Sequence, residues 1–196
     1  GETFKIPDER YPIIILASAT VYLLVGALFP SGVMWMTGLV SLCSWFGAET
    51  GYMSGWGAYF LGMNYPLRFV MIGFIITALS FLMTKGRFAG LRKTTYIIGL
   101  LNLFIALWLM SIFGNYGGAS GYHDASEAEL LLWSLLFGAV SVCAIIFGLK
   151  RDDAPARGFG LTFLMINLYT RYFEYFWKST HKAIFFAILG LSFWIL

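Results

Sequence analysis

Asn167, Arg171, Glu174 and Lys178 are spaced four, three and four residues apart in and just beyond the apolar stretch INLYTRYFEYFW, Ile166–Trp177. On a helix that spacing draws one polar stripe down a single face. Inside a membrane span, such groups line a substrate or proton path. At the end of a span, they pair and anchor the helix. Arg171 and Glu174, at i and i+3, are placed to pair within the helix. Three more polar residues interrupt other apolar runs: Glu49, Arg68 and Asn102. Glu49, Arg68, Asn102, Asn167, Arg171 and Glu174 together form the candidate polar cavity or gate. Asn102 is the expected hydrogen-bond partner of Asn167, and Glu49 and Arg68 are expected to pair with each other or with the stripe.

Covalent chemistry has a weaker case. Ser120 stands in GGASG, Gly117–Gly121, with His123 and His181 as candidate bases. A serine nucleophile needs its base in hydrogen-bond reach and an oxyanion site. A flexible glycine-rich turn explains the same residues. His123, Asp124 and Glu127 could form a surface metal site, but two distant histidines and no cysteine cluster give no recognised ligand set. No cofactor is expected. Cys43 and Cys143 both lie in apolar runs and are expected as small core hydrophobes.

The elements that must position these residues follow from composition. Of 196 residues, 59% are hydrophobic and 12% charged, and mean hydropathy is +0.77. Soluble domains carry about 25% charged residues. The expected fold is therefore all-α: a polytopic transmembrane helical bundle of about seven spans. The spans are placed at Ile13–Phe29, Val33–Ala48, Pro66–Met83, Thr94–Phe113, Leu130–Leu149, Gly158–Trp177 and Ala183–Leu196. They form a single transmembrane domain, and the chain reads as a fragment of a longer protein. Pro12 and Pro66 suit first helical turns, and Pro30-Ser31-Gly32 a tight turn. The glycine-rich stretch Thr50–Tyr65 is expected as an interfacial or re-entrant loop, with Trp56 and Tyr59 at headgroup level. Gly114–Glu129 is the most polar connection, acidic at Asp124, Glu127 and Glu129. No heptad or internal repeat is visible.

The basic residues sit in short clusters between apolar runs, which speaks for membrane topology rather than nucleic-acid binding. Lys85, Arg87, Arg92 and Lys93 lie in 84–93, and Lys150, Arg151 and Arg157 in 150–157. Alternation places both loops in the cytoplasm and the N-terminus outside, seven basic residues against Lys5, Arg10, Lys178 and Lys182. Counted from Gly158, Arg171 then lies roughly 20 Å and Glu174 roughly 24 Å along the sixth span, towards its outer end. Tyr169, Tyr172, Phe173, Tyr175, Phe176 and Trp177 surround them. An aromatic belt at an interface accounts for that setting without a cavity.

Two resemblances follow from these residues. GGASG is similar to the glycine-flanked serine of rhomboid-type intramembrane proteases, but the rest of that pattern is missing. Asn167–Leu196 resembles the end of an uncharacterised family of bacterial multi-pass inner-membrane proteins. The likeness rests on Arg171-Tyr172-Phe173-Glu174, a short polar link and a last helix with Phe185, Phe186 and Gly190. It implies a bacterial inner-membrane location and carries over no activity and no catalytic residue. The expected function is a transporter or channel-like protein with an outward-facing polar cavity. The alternative is a structural or interaction subunit docking a periplasmic or membrane partner, and the remote one an intramembrane hydrolase. Expected partners are the lipid bilayer, a periplasmic or membrane protein and a second copy of the chain, with no nucleic acid.

Overall fold

The computed structural model describes residues 11–55, 59–115 and 126–179, together with 187, 190, 191 and 194; the side chains at 87 and 175–179 are not described. Among the described residues six long helices follow one another: α1 (Tyr11–Leu28), α2 (Gly32–Met53), α3 (Tyr65–Leu82), α4 (Arg92–Phe113), α5 (Glu127–Arg151) and α6 (Ala154–Ser179). A short 3₁₀ segment, Gly86–Leu91, leads into α4. The chain divides into two compact units, Gly1–Trp133 and Ser134–Leu196. The all-helical reading holds among the described residues.

Among the described residues, four helical stretches are long and apolar enough to cross a membrane: Tyr11–Leu28, Tyr65–Leu82, Phe88–Phe113 and Glu127–Arg151. α2 and α6 have sufficient length at 22 and 26 residues. Glycines, hydroxyls and Glu49 dilute the first, and Arg157, Asn167, Arg171 and Glu174 the second. The expected seventh span, 183–196, lies almost entirely outside the described residues.

Several boundaries differ from the sequence expectation. α2 runs five residues past Ala48 to Met53, so the expected loop at Thr50 begins as helix. Its chain packing overrides the poor helix propensity of glycine, because Thr50 and Gly51 are both buried. The acidic pair Glu127 and Glu129 is not in a loop but in the first turn of α5, where carboxylates complement the helix dipole. The expected 150–157 loop shrinks to Asp152-Asp153, with Asp152 in the left-handed conformation at φ 50°. Cys43 is buried as expected; Cys143 is exposed, correcting its assignment to the core. Pro12 and Pro66 do occupy first turns, and Ser31 caps α2.

Three helix pairs, α1–α2, α3–α4 and α5–α6, are each fastened by two reciprocal glycines. A Cβ on Gly26 of α1 would lie 2.7 Å from the Trp35 backbone nitrogen, and one on Gly38 of α2 2.9 Å from that of Leu23. Gly73 of α3 meets the Leu103 nitrogen at 2.6 Å, and Gly99 of α4 the Thr77 nitrogen at 2.6 Å. Gly148 of α5 meets the Arg157 nitrogen at 2.6 Å, and Gly160 of α6 that of Ile145 at 2.9 Å. Absent side chains thus let the two backbones of each pair touch.

The first and last pairs share more than this device. Ser31 N–H donates to the Gly26 carbonyl at 3.1 Å, and Asp153 N–H to the Gly148 carbonyl at 2.9 Å. The Ser31 hydroxyl accepts from Met34 N–H, and the Asp153 carboxylate from Ala156 N–H. All these positions are related by one offset, as 148 − 26 = 153 − 31 = 160 − 38 = 122. Burial follows the same offset: Pro12, Ala19 and Gly26 on α1, Ser134, Ser141 and Gly148 on α5. The fold therefore contains a repeated helical hairpin, with buried positions seven apart, that sequence inspection does not reveal.

Candidate functional site

In the first unit, the polar residues gather where α3 begins and α4 ends. Asn64 precedes the Tyr65-Pro66 helix start, and its side chain caps α3 by accepting from Leu67 N–H at 3.1 Å. Its amide nitrogen donates to the Gly114 carbonyl at 2.5 Å, and its backbone N–H to Asn115 Oδ1 at 2.9 Å. Asn115 in turn donates from Nδ2 to the Gly62 carbonyl at 3.1 Å. Its backbone N–H donates to Glu129 Oε1 at 2.7 Å. Gly62 and Gly114 take positive φ, 74° and 63°, so the chain can turn tightly enough for these bonds. The result is a polar knot tying 62–64, 114–115 and the first turn of α5.

Arg68 lies one turn into α3 and is only 1% exposed. Its Nε donates to the Met63 carbonyl at 2.9 Å. The guanidinium stands 4.6 Å from the Tyr65 ring centre and 5.5 Å from that of Phe60, a geometry in which aromatic faces stabilise a cation. Glu49 lies half-buried near the end of α2. Asn102, midway along α4, donates to the Phe69 carbonyl of α3 at 2.9 Å. Beside it is a cavity of about 370 Å³ lined by Tyr65, Pro66, Phe69, Asn102, Ile105, Ala106 and Leu109. Its walls are overwhelmingly apolar. A small-molecule site would add several convergent polar groups, whereas the polar side chains lining this cavity are Asn102, which donates to Phe69, and Tyr65, which stacks on Arg68.

In the second unit, Asn167 is buried and makes a two-way contact with Ser134. Ser134 Oγ donates to Asn167 Oδ1 at 2.9 Å, and Asn167 Nδ2 donates to the Ser134 carbonyl at 3.0 Å. Gly138 makes room for it: a Cβ there would lie 3.2 Å from Asn167 Nδ2. Each amide is thus engaged within its own unit. Arg171 and Glu174 form the expected ion pair within α6. Exposure rises along the stripe, from 6% at Asn167 to 16% and 38% for the side chains of Arg171 and Glu174.

Glu49, Arg68 and Asn102 therefore belong to the first unit, and Asn167, Arg171 and Glu174 to the second. Ser120, His123, Asp124, His181 and the side chain of Lys178 lie outside the described residues. Asn64, Asn115, Glu129 and Ser134 were missed as partners. Asn64 before Tyr-Pro was readable as a helix cap. Asn115 and Ser134 gave no local signal, because their partners are distant in sequence.

These features define an all-helical protein with four helices suited to a bilayer and two internally bonded polar clusters. No protein-family model matches the chain, nor does any curated protein or solved structure.

Proposed function

We propose that this is a multi-pass membrane protein that serves as a structural or interaction subunit. The polar knot carries this reading. It joins the segment before α3 to the segment before α5, the two connections expected to face a partner outside the membrane. Bonded side chain to backbone, residues 62–64, Gly114, Asn115 and Glu129 offer one pre-formed patch, and ordering before binding lowers the cost of docking. The amides of Asn102 and Asn167 support the same reading, since each donates to a carbonyl inside the protein. The proposed setting is a bacterial inner membrane, with up to seven spans, the N-terminus outside and residues 84–93 in the cytoplasm.

A second reading, the transporter or channel-like protein, is favoured by Arg68. A cation so fully buried at the start of a candidate span is the kind of group that marks an ion or substrate path. Flux separates the two. Vesicles reconstituted with the purified protein are loaded with potassium chloride and a potential-sensitive dye. The subunit reading expects the leakage of empty vesicles. Leakage well above it that falls in a folded Arg68→Gln variant would instead carry the transporter. Topology is read with single cysteines at Ala89 and Ser120 on a cysteine-free background. Labelling of the Ala89 site from outside, with Ser120 protected, would reverse the orientation.

A further inference from the structure

We propose that the 3₁₀ segment Gly86–Leu91 and its flanking basic residues form a docking surface for anionic phospholipid headgroups. The proposal rests on the membrane reading above. The segment is anchored on its inner side. Leu91 is 1% exposed, and Phe88 stands edge-on to Trp35 with centroids 6.0 Å apart. Trp35 is itself fixed by an Nε1 hydrogen bond to Thr95 Oγ1 at 2.7 Å. The outer side is basic. Lys85, Arg92 and Lys93 are exposed, and the Arg92 guanidinium is steadied over the Phe81 ring at 5.8 Å. Arg87 adds a fourth basic residue in sequence.

Charge balance distinguishes this surface. Among residues 11–123 the sole carboxylate is Glu49. It lies 17 positions beyond Gly32, the α2 residue packed near Thr94, or about 25 Å along the helix. That is well beyond a Debye length of about 8–10 Å. The basic turn between α5 and α6 differs, because Lys150 and Arg151 adjoin Asp152 and Asp153. Exposed apolar groups complete the surface: Leu82 at the end of α3 and Phe29 beyond α1 are 77% and 75% exposed. An anchored turn, unbalanced cations and an apolar rim suit a phosphate headgroup joined to acyl chains.

The test uses the whole purified protein in nanodiscs of phosphatidylcholine, with phosphatidylglycerol titrated in and its retention measured by native mass spectrometry. Preferential retention of phosphatidylglycerol is expected. Lys85→Gln with Lys93→Gln should weaken it about thirtyfold, the loss expected on removing two basic side chains from an anionic surface. Lys150→Gln with Arg151→Gln should leave it within about threefold. Both lysines are exposed, so the first variant is expected to fold; if it does not, Lys93→Gln alone should give about a fivefold loss. Equal retention of the two lipids, or equal losses in both double variants, would overturn the proposal. So would competition by inorganic phosphate at matched concentration, which would mark a free-anion site. A chain that stays soluble without detergent would sink the membrane reading instead.

Discussion

The hairpin α1–α2 and the hairpin α5–α6 share one frame and differ in what it holds. In both, a glycine near the end of the first helix admits the backbone of the second, five residues later a cap begins the next helix, and a second glycine seven positions on returns the contact. The first hairpin turns through Phe29-Pro30-Ser31 and places Pro12 and Trp45 where the second has Ser134 and Asn167. The second turns through Asp152-Asp153 and closes its interior with the Ser134–Asn167 bonds. In a bilayer, apolar side chains gain nothing by leaving lipid for protein, so close packing and polar contacts must hold helices together. The first hairpin relies on close packing and the Ser31 turn bonds. The second adds a polar clasp to the same packing.

The largest expected effect tests the shared frame. Gly26→Ala and Gly148→Ala both force a Cβ to within 2.7 Å of a backbone nitrogen that cannot swing aside. Overpacking of this kind costs about 1–3 kcal/mol. Thermal melts in detergent should show equal losses for the two variants. A loss confined to one would break the equivalence. Gly158→Ala gives the opposite sign, since nothing lies near its Cβ and an exposed helical glycine costs about 1 kcal/mol against alanine.

The clasp comes next. Asn167→Ala leaves the buried Ser134 hydroxyl without its acceptor and should cost about 1–2 kcal/mol. Ser134→Ala combined with Asn167→Leu removes both sides and should recover much of that loss. In the first hairpin, Trp45→Leu should show no comparable polar coupling. A double variant no better than Asn167→Ala would mean that the site works through packing rather than hydrogen bonding.

The caps sharpen the comparison further. Ser31→Ala and Asp153→Ala each remove one acceptor from a helix start, at about 0.5–2 kcal/mol. The Asp153 loss should be the larger, because its bond is shorter, 3.0 Å against 3.4 Å, and its charge also meets the helix dipole. Raising the salt concentration should narrow the gap.

The sequence made the frame hard to see for a physical reason. Across 11–53 and 133–175, the two hairpins are identical at Ala17/Ala139, Gly26/Gly148, Gly38/Gly160, Leu39/Leu161 and Leu42/Leu164 alone. One apolar residue serves as well as another against lipid, so geometry survives where letters do not. The helices themselves were legible, because their apolar runs and the prolines at 12 and 66 mark them locally. The Asn64–Asn115–Glu129 knot was not, because two of its bonds join residues 50 and 51 apart. Of the candidate site, the Arg171–Glu174 pair could be read from spacing, whereas the engagement of Asn102 with Phe69 depends on how α3 and α4 approach.

That ion pair gives the smallest expected effect. Its equivalents in the first hairpin are Glu49 and Tyr52, which carry no such pair in sequence. Glu174 is more than a third exposed, and pairs open to solvent contribute about 0–1 kcal/mol. Arg171→Ala should therefore shift the melting midpoint less than Asn167→Ala, by no more than a few degrees, and Glu174→Ala should match it. The pair would then be an anchor at one end of α6, dispensable once the glycines and the Ser134–Asn167 clasp are in place. If Arg171→Ala instead leaves the melt unchanged and alters leakage through reconstituted vesicles, the stripe belongs to a path through the protein. The second hairpin would then differ from the first in function as well as in content.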